Sequence, residues 1–239
     1  VPPLKNTLLI LLLAFGARPQ RPEGKVFPNV QIPRPHRIGG ALAFVDVPST
    51  KHFRHVSSAV SDVESRLPAQ HSYYDADPVT WVHEGTHYIN SQIARQKGKQ
   101  GLYLMDGKGV ILTHPPFTLA DIAVRVPEKD RRTIYQTYLV DQRKWWNAEP
   151  LYLLNEWVAY GNGCVCRRSL GQTGAERIDT VRFFLEMEVY VRLMLDMAKI
   201  HPDYKHGEEL QSFIDWNAKR VRDVVGPEDI ARAEEFLKK

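Results

Sequence analysis

The chain has 239 residues, of which 43% are hydrophobic and 25% charged, a balance that supports a sizeable buried core and excludes a disordered or fibrous chain. Its net charge of +4 comes from 32 bases spread among 28 acids, with no consecutive basic block, so the composition gives no footing for nucleic-acid binding. Cys164 and Cys166 are the only cysteines. Two positions apart, they point to different sides of either regular structure, so an internal disulfide is not expected and both are read as structural, with a surface thiol as the other option.

In chain order, Lys5 is followed by an uncharged, leucine-rich run over residues 8–17 ending in small residues. That is the pattern of a secretory signal, expected over residues 1–17, and it is too short for a comfortable membrane span. The other reading is a buried strand. Six prolines between residues 18 and 48 predict an extended arm, within which residues 41–47 read as one short strand after Gly39-Gly40. Ser49 or Thr50 is positioned to cap a helix running to about Arg66, with Phe53, Val56, Val60 and Val63 as its apolar face and Pro68 as its stop. His52 and His55 on it are read as a solvated edge.

The next helix carries the most informative stretch. Asp77 is a helix cap, Pro78 suits the first helical position and Gly98 offers a stop, while Val82, Thr86, Ile89 and Ile93 form a stripe at helical spacing. Beside the stripe lies His83-Glu84-Gly85-Thr86-His87. Residues four apart share a helix face, so His83 and His87 can present two imidazole nitrogens to one metal ion. Glu84, one residue round, can reach a water rather than the metal, the place of a general base in a zinc hydrolase.

Residues 102–105 and 110–113 flank Asp106-Gly107-Lys108-Gly109, a hairpin signal. The remainder reads as helices over residues 128–146, 150–162, 175–199, 208–224 and 228–238. The third of these carries Ile178, Val181, Leu185, Val189, Leu193 and Met197 as a core stripe. The aromatic residues between Tyr135 and Tyr160 are read first as core, and second as a peptide groove.

The His83–His87 segment resembles the zincin metallopeptidases. A metzincin would need Gly and His where Asn90 and Ile93 stand, so that branch does not fit. Asn155-Glu156-Trp157-Val158-Ala159-Tyr160 is similar to the second motif of the gluzincins, in which an Asn-Glu pair on a later helix supplies a Glu to zinc. The resemblance covers these two segments only. It implies His83, His87 and Glu156 as zinc ligands and Glu84 as the base. Where many gluzincins place an Asp four residues after the ligand Glu, to support a zinc histidine, this chain has Tyr160, which leaves that supporting partner unassigned. Asp121, Asp141, Glu149 and His114 compete for the third ligand position. Tyr160 is the first candidate for stabilising the reaction's oxyanion, with Tyr152 and His114 behind it.

The expected fold is α+β and mostly helical: a small sheet and hairpin lobe over residues 18–116 containing the motif helix, packed on a helical lobe over residues 117–239, zincin-like. The expected function is a secreted or periplasmic zinc metallopeptidase acting on a peptide or protein substrate, with no nucleic-acid partner and no stable membrane span. The alternatives are a non-catalytic secreted metal-binding or interaction protein, and a zinc amidase on cell-wall amides.

Overall fold

A computed structural model describes residues 36–37 and 42–238 apart from 70, 72, 74 and 95. The apolar run expected as a signal lies outside the described residues. The fold is α+β and mostly helical. Four antiparallel strands, β1 (His36–Arg37), β2 (Ala43–Asp46), β3 (Lys99–Tyr103) and β4 (Lys108–Thr113), stand in the order β1-β2-β4-β3, with Phe44 opposite Val110 and Leu102 opposite Val110 on its other side.

Helices α1 (Ser58–Arg66) and α2 (Pro78–Ile93) precede β3. After β4 come a short α3 (Leu119–Ala123), a π-helical turn (Tyr135–Asp141), α4 (Arg143–Trp146), α5 (Tyr152–Ser169), α6 (Ile178–Ile200), α7 (Gly207–Val225) and α8 (Pro227–Leu237).

Strand alternation places the sheet between two apolar cores. Leu102, Leu104, Val110 and Leu112 join the larger core formed with α5 to α8, whereas Val45, Tyr103 and Met105 join a smaller one with α1 and α2. Two polar side chains stitch α2 and α5 to β3 through the backbone of one residue. The Tyr103 N–H donates to Asn90 Oδ1 at 2.5 Å, and the Tyr103 carbonyl accepts from Asn162 Nδ2 at 2.9 Å. Arg220 on α7 completes the link, donating to Asn162 Oδ1 at 3.0 Å and to the Leu104 carbonyl at 2.6 Å. Burial draws its guanidinium pKa down to about 10, so it stays charged at neutral pH.

α2 begins as expected: Asp77 accepts from the Thr80 N–H at 3.2 Å, and Pro78 opens the first turn. Val82, Thr86, Ile89 and Ile93 are all buried. Gly85 is required by packing, because a Cβ there would fall 2.5 Å from Val63 Cγ1 on α1. The helix stops at Ile93, with Ala94 extended; Gly98 lies beyond it, in the turn leading into β3.

Several expectations are corrected. α1 starts at Ser58 under a Ser57 cap, not at Ser49 or Thr50, and Phe53 and Val56 are exposed. Ser57 wins because its hydroxyl accepts from the Val60 N–H at 3.2 Å, while Thr50 is drawn to the far end of the helix, donating to the Ser65 and Leu67 carbonyls. The single helix expected over 128–146 is three pieces, because the chain must bend to carry side chains into the core at Ile134, Tyr138 and Leu139. α5 runs past residue 162 to Ser169. Gly161 does not end it but lets α7 approach, since a Cβ there would stand 3.0 Å from Val221 Cγ2. The hairpin turn falls two residues earlier than expected, with Met105, Asp106 and Gly107 at positive φ and Lys108 already in β4. On α6 Val189 is exposed, while Phe184, Met187, Tyr190 and Met194 share the burial with Val181, Leu185 and Met197, so the covered face is much wider than one stripe. Both cysteines are free and buried, which removes the surface-thiol option.

Candidate metal centre

α2 and α5 pack side by side, and their facing polar residues meet in one place. His83 and His87, one turn apart on α2, bring their Nε2 atoms to 3.0 Å from each other. Glu156 on α5 points between them, its Oε2 3.5 Å from His83 Nε2 and 3.4 Å from His87 Nε2. The ligand atoms of these three residues all lie within 4.8 Å of one another, and His83 and Glu156 are buried. The group can therefore hold a metal ion. Its donor set, two imidazoles and one carboxylate, is of the kind that leaves a fourth position for water on zinc.

Three acceptors cannot converge this closely in a poorly hydrated place without a proton or a cation among them. In the metal-free protein a proton meets the need. Burial pulls the His87 pKa down, but the Glu156 carboxylate beside it more than reverses this and raises it to about 9. Burial acts to raise the Glu156 carboxyl, but the charge on His87 together with hydrogen bonding to both imidazoles outweighs it and holds the group far below its usual range.

The neighbour that orients His87 is Asn155, the residue before Glu156. Its Oδ1 lies 2.9 Å from His87 Nδ1 and accepts from Asn90 Nδ2 at 2.6 Å. Because Asn90 donates to that oxygen, the oxygen is an acceptor for His87 as well, so Nδ1 carries the proton and Nε2 faces Glu156. Asn90 is in turn held by the Tyr103 N–H. Asn90, polar at a fully buried position three beyond His87, is the sign of this network that the sequence carries.

Glu84 stands apart from the ligand group. It is half-buried, and among the described residues its carboxylate has no hydrogen-bond or ion-pair partner. It is close enough for its charge to act on His87, Tyr73, Tyr152 and Tyr160. On the same side, His71, Tyr73, Trp81 and Tyr88 form an aromatic wall: Tyr73 stacks on Trp81 at 5.9 Å between centroids, and His71 meets Tyr88 edge-on at 4.7 Å.

Tyr160 lies one turn beyond Glu156, its ring edge-on to His83 at 4.6 Å between centroids. Its hydroxyl is 2.9 Å from that of Tyr138, delivered by the π-helical turn, and Tyr152 donates to Gln142 Oε1 at 2.7 Å. Burial first, and then the Glu156 charge, raise the pKa of all three phenols, so each keeps its proton. Tyr138, among the aromatic residues read as core, is buried there, and its contact with Tyr160, which depends on a non-α turn, was not legible.

The competing ligands do not join the group. Asp121 closes a capping box with Thr118 at the start of α3, Asp141 accepts from Gln136, and Glu149 is exposed. His114 Nδ1 accepts from the Leu151 N–H at 3.4 Å, and burial lowers its pKa to about 4, leaving it a neutral acceptor at the start of α5. No helix among the described residues is long and apolar enough to cross a membrane. Comparisons with protein-family models, with curated proteins and with solved structures return no match.

Proposed function

We propose that this chain is a zinc-dependent metallopeptidase of gluzincin type, with His83, His87 and Glu156 as the zinc ligands, Glu84 as general base and Tyr160 as oxyanion donor. The observation that carries the reading is the convergence of His83, His87 and Glu156 while Glu84, one residue from the first ligand, is left free of partners. A zinc ion held there would polarise a substrate carbonyl and bring the pKa of a water toward about 7.

Glu84 takes the proton of the attacking water and passes it to the departing amine. Asn155 holds His87 in the tautomer that turns Nε2 to the ligand cluster. The Tyr160 hydroxyl donates to the carbonyl oxygen as it becomes anionic. Beside Glu84, the half-buried rings of Tyr73 and Tyr88 offer apolar surface suited to a peptide's side chains. As part of the same proposal, the apolar run after Lys5 directs the protein out of the cytoplasm.

Two substitutions separate the roles. Glu84→Gln is expected to retain stoichiometric zinc and lose most cleavage of a mixed peptide library, since an amide cannot accept the water's proton. Glu156→Gln is expected to lose zinc itself, a neutral amide oxygen being the poorer ligand. Zinc binding without any peptide cleavage by the wild type, or equal cleavage by wild type and Glu84→Gln, overturns the peptidase reading.

A further inference from the structure

Tyr138 is 1% exposed and sits on the π-helical turn, where it and Leu139 are both turned into the core. The turn is closed by an i to i+5 bond, the Gln142 N–H donating to the Thr137 carbonyl at 3.0 Å. Among the described residues the Tyr138 hydroxyl has one hydrogen-bond partner, the Tyr160 oxygen at 2.9 Å. The neighbouring phenol, Tyr152, has its proton on Gln142.

A buried O–H left without an acceptor costs about 1–3 kcal/mol. If Tyr160 gave its proton to Tyr138, the Tyr138 proton would be stranded in the core. With the opposite polarity Tyr138 is satisfied by Tyr160, and the free O–H falls on Tyr160, which is only partly buried and lies against His83, where a water or a group in the metal centre can accept it.

We propose that Tyr138 is a positioning residue: by donating to the Tyr160 oxygen it commits the Tyr160 hydroxyl to donate into the His83–His87–Glu156 centre. The consequence for rate rests on the peptidase reading; the polarity of the pair does not.

Neutron diffraction from deuterated crystals of the full chain reads the polarity directly. A deuteron on Tyr138 between the two oxygens, with that of Tyr160 turned away from Tyr138, is the expected result. A Tyr160 deuteron between the oxygens overturns the proposal whether or not the protein is an enzyme. On the zinc-loaded protein, Tyr138→Phe is expected to lower kcat about tenfold with KM within about twofold and zinc retained. The double variant Tyr138→Phe, Tyr160→Phe should be no slower than Tyr160→Phe alone, because the first residue acts through the second. Effects that multiply, or an unchanged kcat in Tyr138→Phe beside a lowered one in Tyr160→Phe, also overturn it. A wild type that cleaves nothing removes the peptidase reading and leaves the neutron map to decide the pair.

Discussion

At the scale of single residues, the centre is built from side chains whose roles follow from what each neighbour leaves free. Asn155 shows this most clearly. Its oxygen is claimed by Asn90 and offered to His87, so it orients an imidazole without being one of the three convergent groups. Removing such an outer partner typically weakens metal affinity about 10- to 100-fold. Asn155→Ala is expected to fall in that range in a chelator competition, and Asn155→Asp, which keeps an acceptor oxygen, to recover most of it. Unaltered affinity in Asn155→Ala would show that packing alone orients His87. The meeting of His83 and His87 was legible in the sequence because helical spacing is a local rule. Glu156 was legible only through its resemblance to a known motif, and Asn155 was not assigned although it stands next to it. Its role depends on how α5 is rotated against α2, which no local pattern states.

At the scale of elements, the motif helix was legible to its first residue, because Asp77, Pro78 and the buried stripe are all local signals. The segment over residues 128–146 was not: its π-helical turn is held by tertiary contacts such as the Ile134 N–H donating to buried Glu186 on α6 at 2.9 Å. The last helices were read to within a few residues, with Gly226 and Pro227 marking the break between α7 and α8. Gly85 tests how tightly the motif helix is seated. Gly to Ala in a helix gains up to about 1 kcal/mol in propensity, whereas overpacking costs about 1–3 kcal/mol. With Val63 Cγ1 2.5 Å from the new methyl carbon, overpacking wins. Gly85→Ala should lower the denaturation midpoint, and adding Val63→Ala should restore part of the loss. A stabilised Gly85→Ala would show that α1 and α2 separate easily.

At the scale of the whole molecule, one residue of β3, Tyr103, ties together the two helices that carry His83, His87 and Glu156, and the part-buried Arg220 locks that tie to α7. The α+β, mostly helical architecture was legible because periodicity and turn chemistry repeat along the chain. The placement of the sheet between two cores was not, since alternating apolar residues on both faces do not say which helices cover them. The centre also sets how the metal-free protein answers to pH. His87 is raised from its ordinary 6.5 to about 9, so its contribution to stability is fully present below pH 6.5 and is lost as pH rises through 9. Glu156 is lowered from 4.5, so its contribution holds above that pH and is lost on acidification. Metal-free wild type should therefore lose stability between pH 6.5 and 9 relative to Glu156→Gln, which lacks the charge that holds the proton on His87. Parallel denaturation midpoints for the two proteins across that window would contradict the coupling.

The most direct measurement is anomalous diffraction at the zinc edge from crystals of the zinc-loaded chain. The account predicts one ion about 2.0–2.2 Å from His83 Nε2, His87 Nε2 and a Glu156 carboxylate oxygen, with Glu84 outside bonding distance. Zinc elsewhere on the protein, no zinc, or Glu84 among the ligands would contradict it.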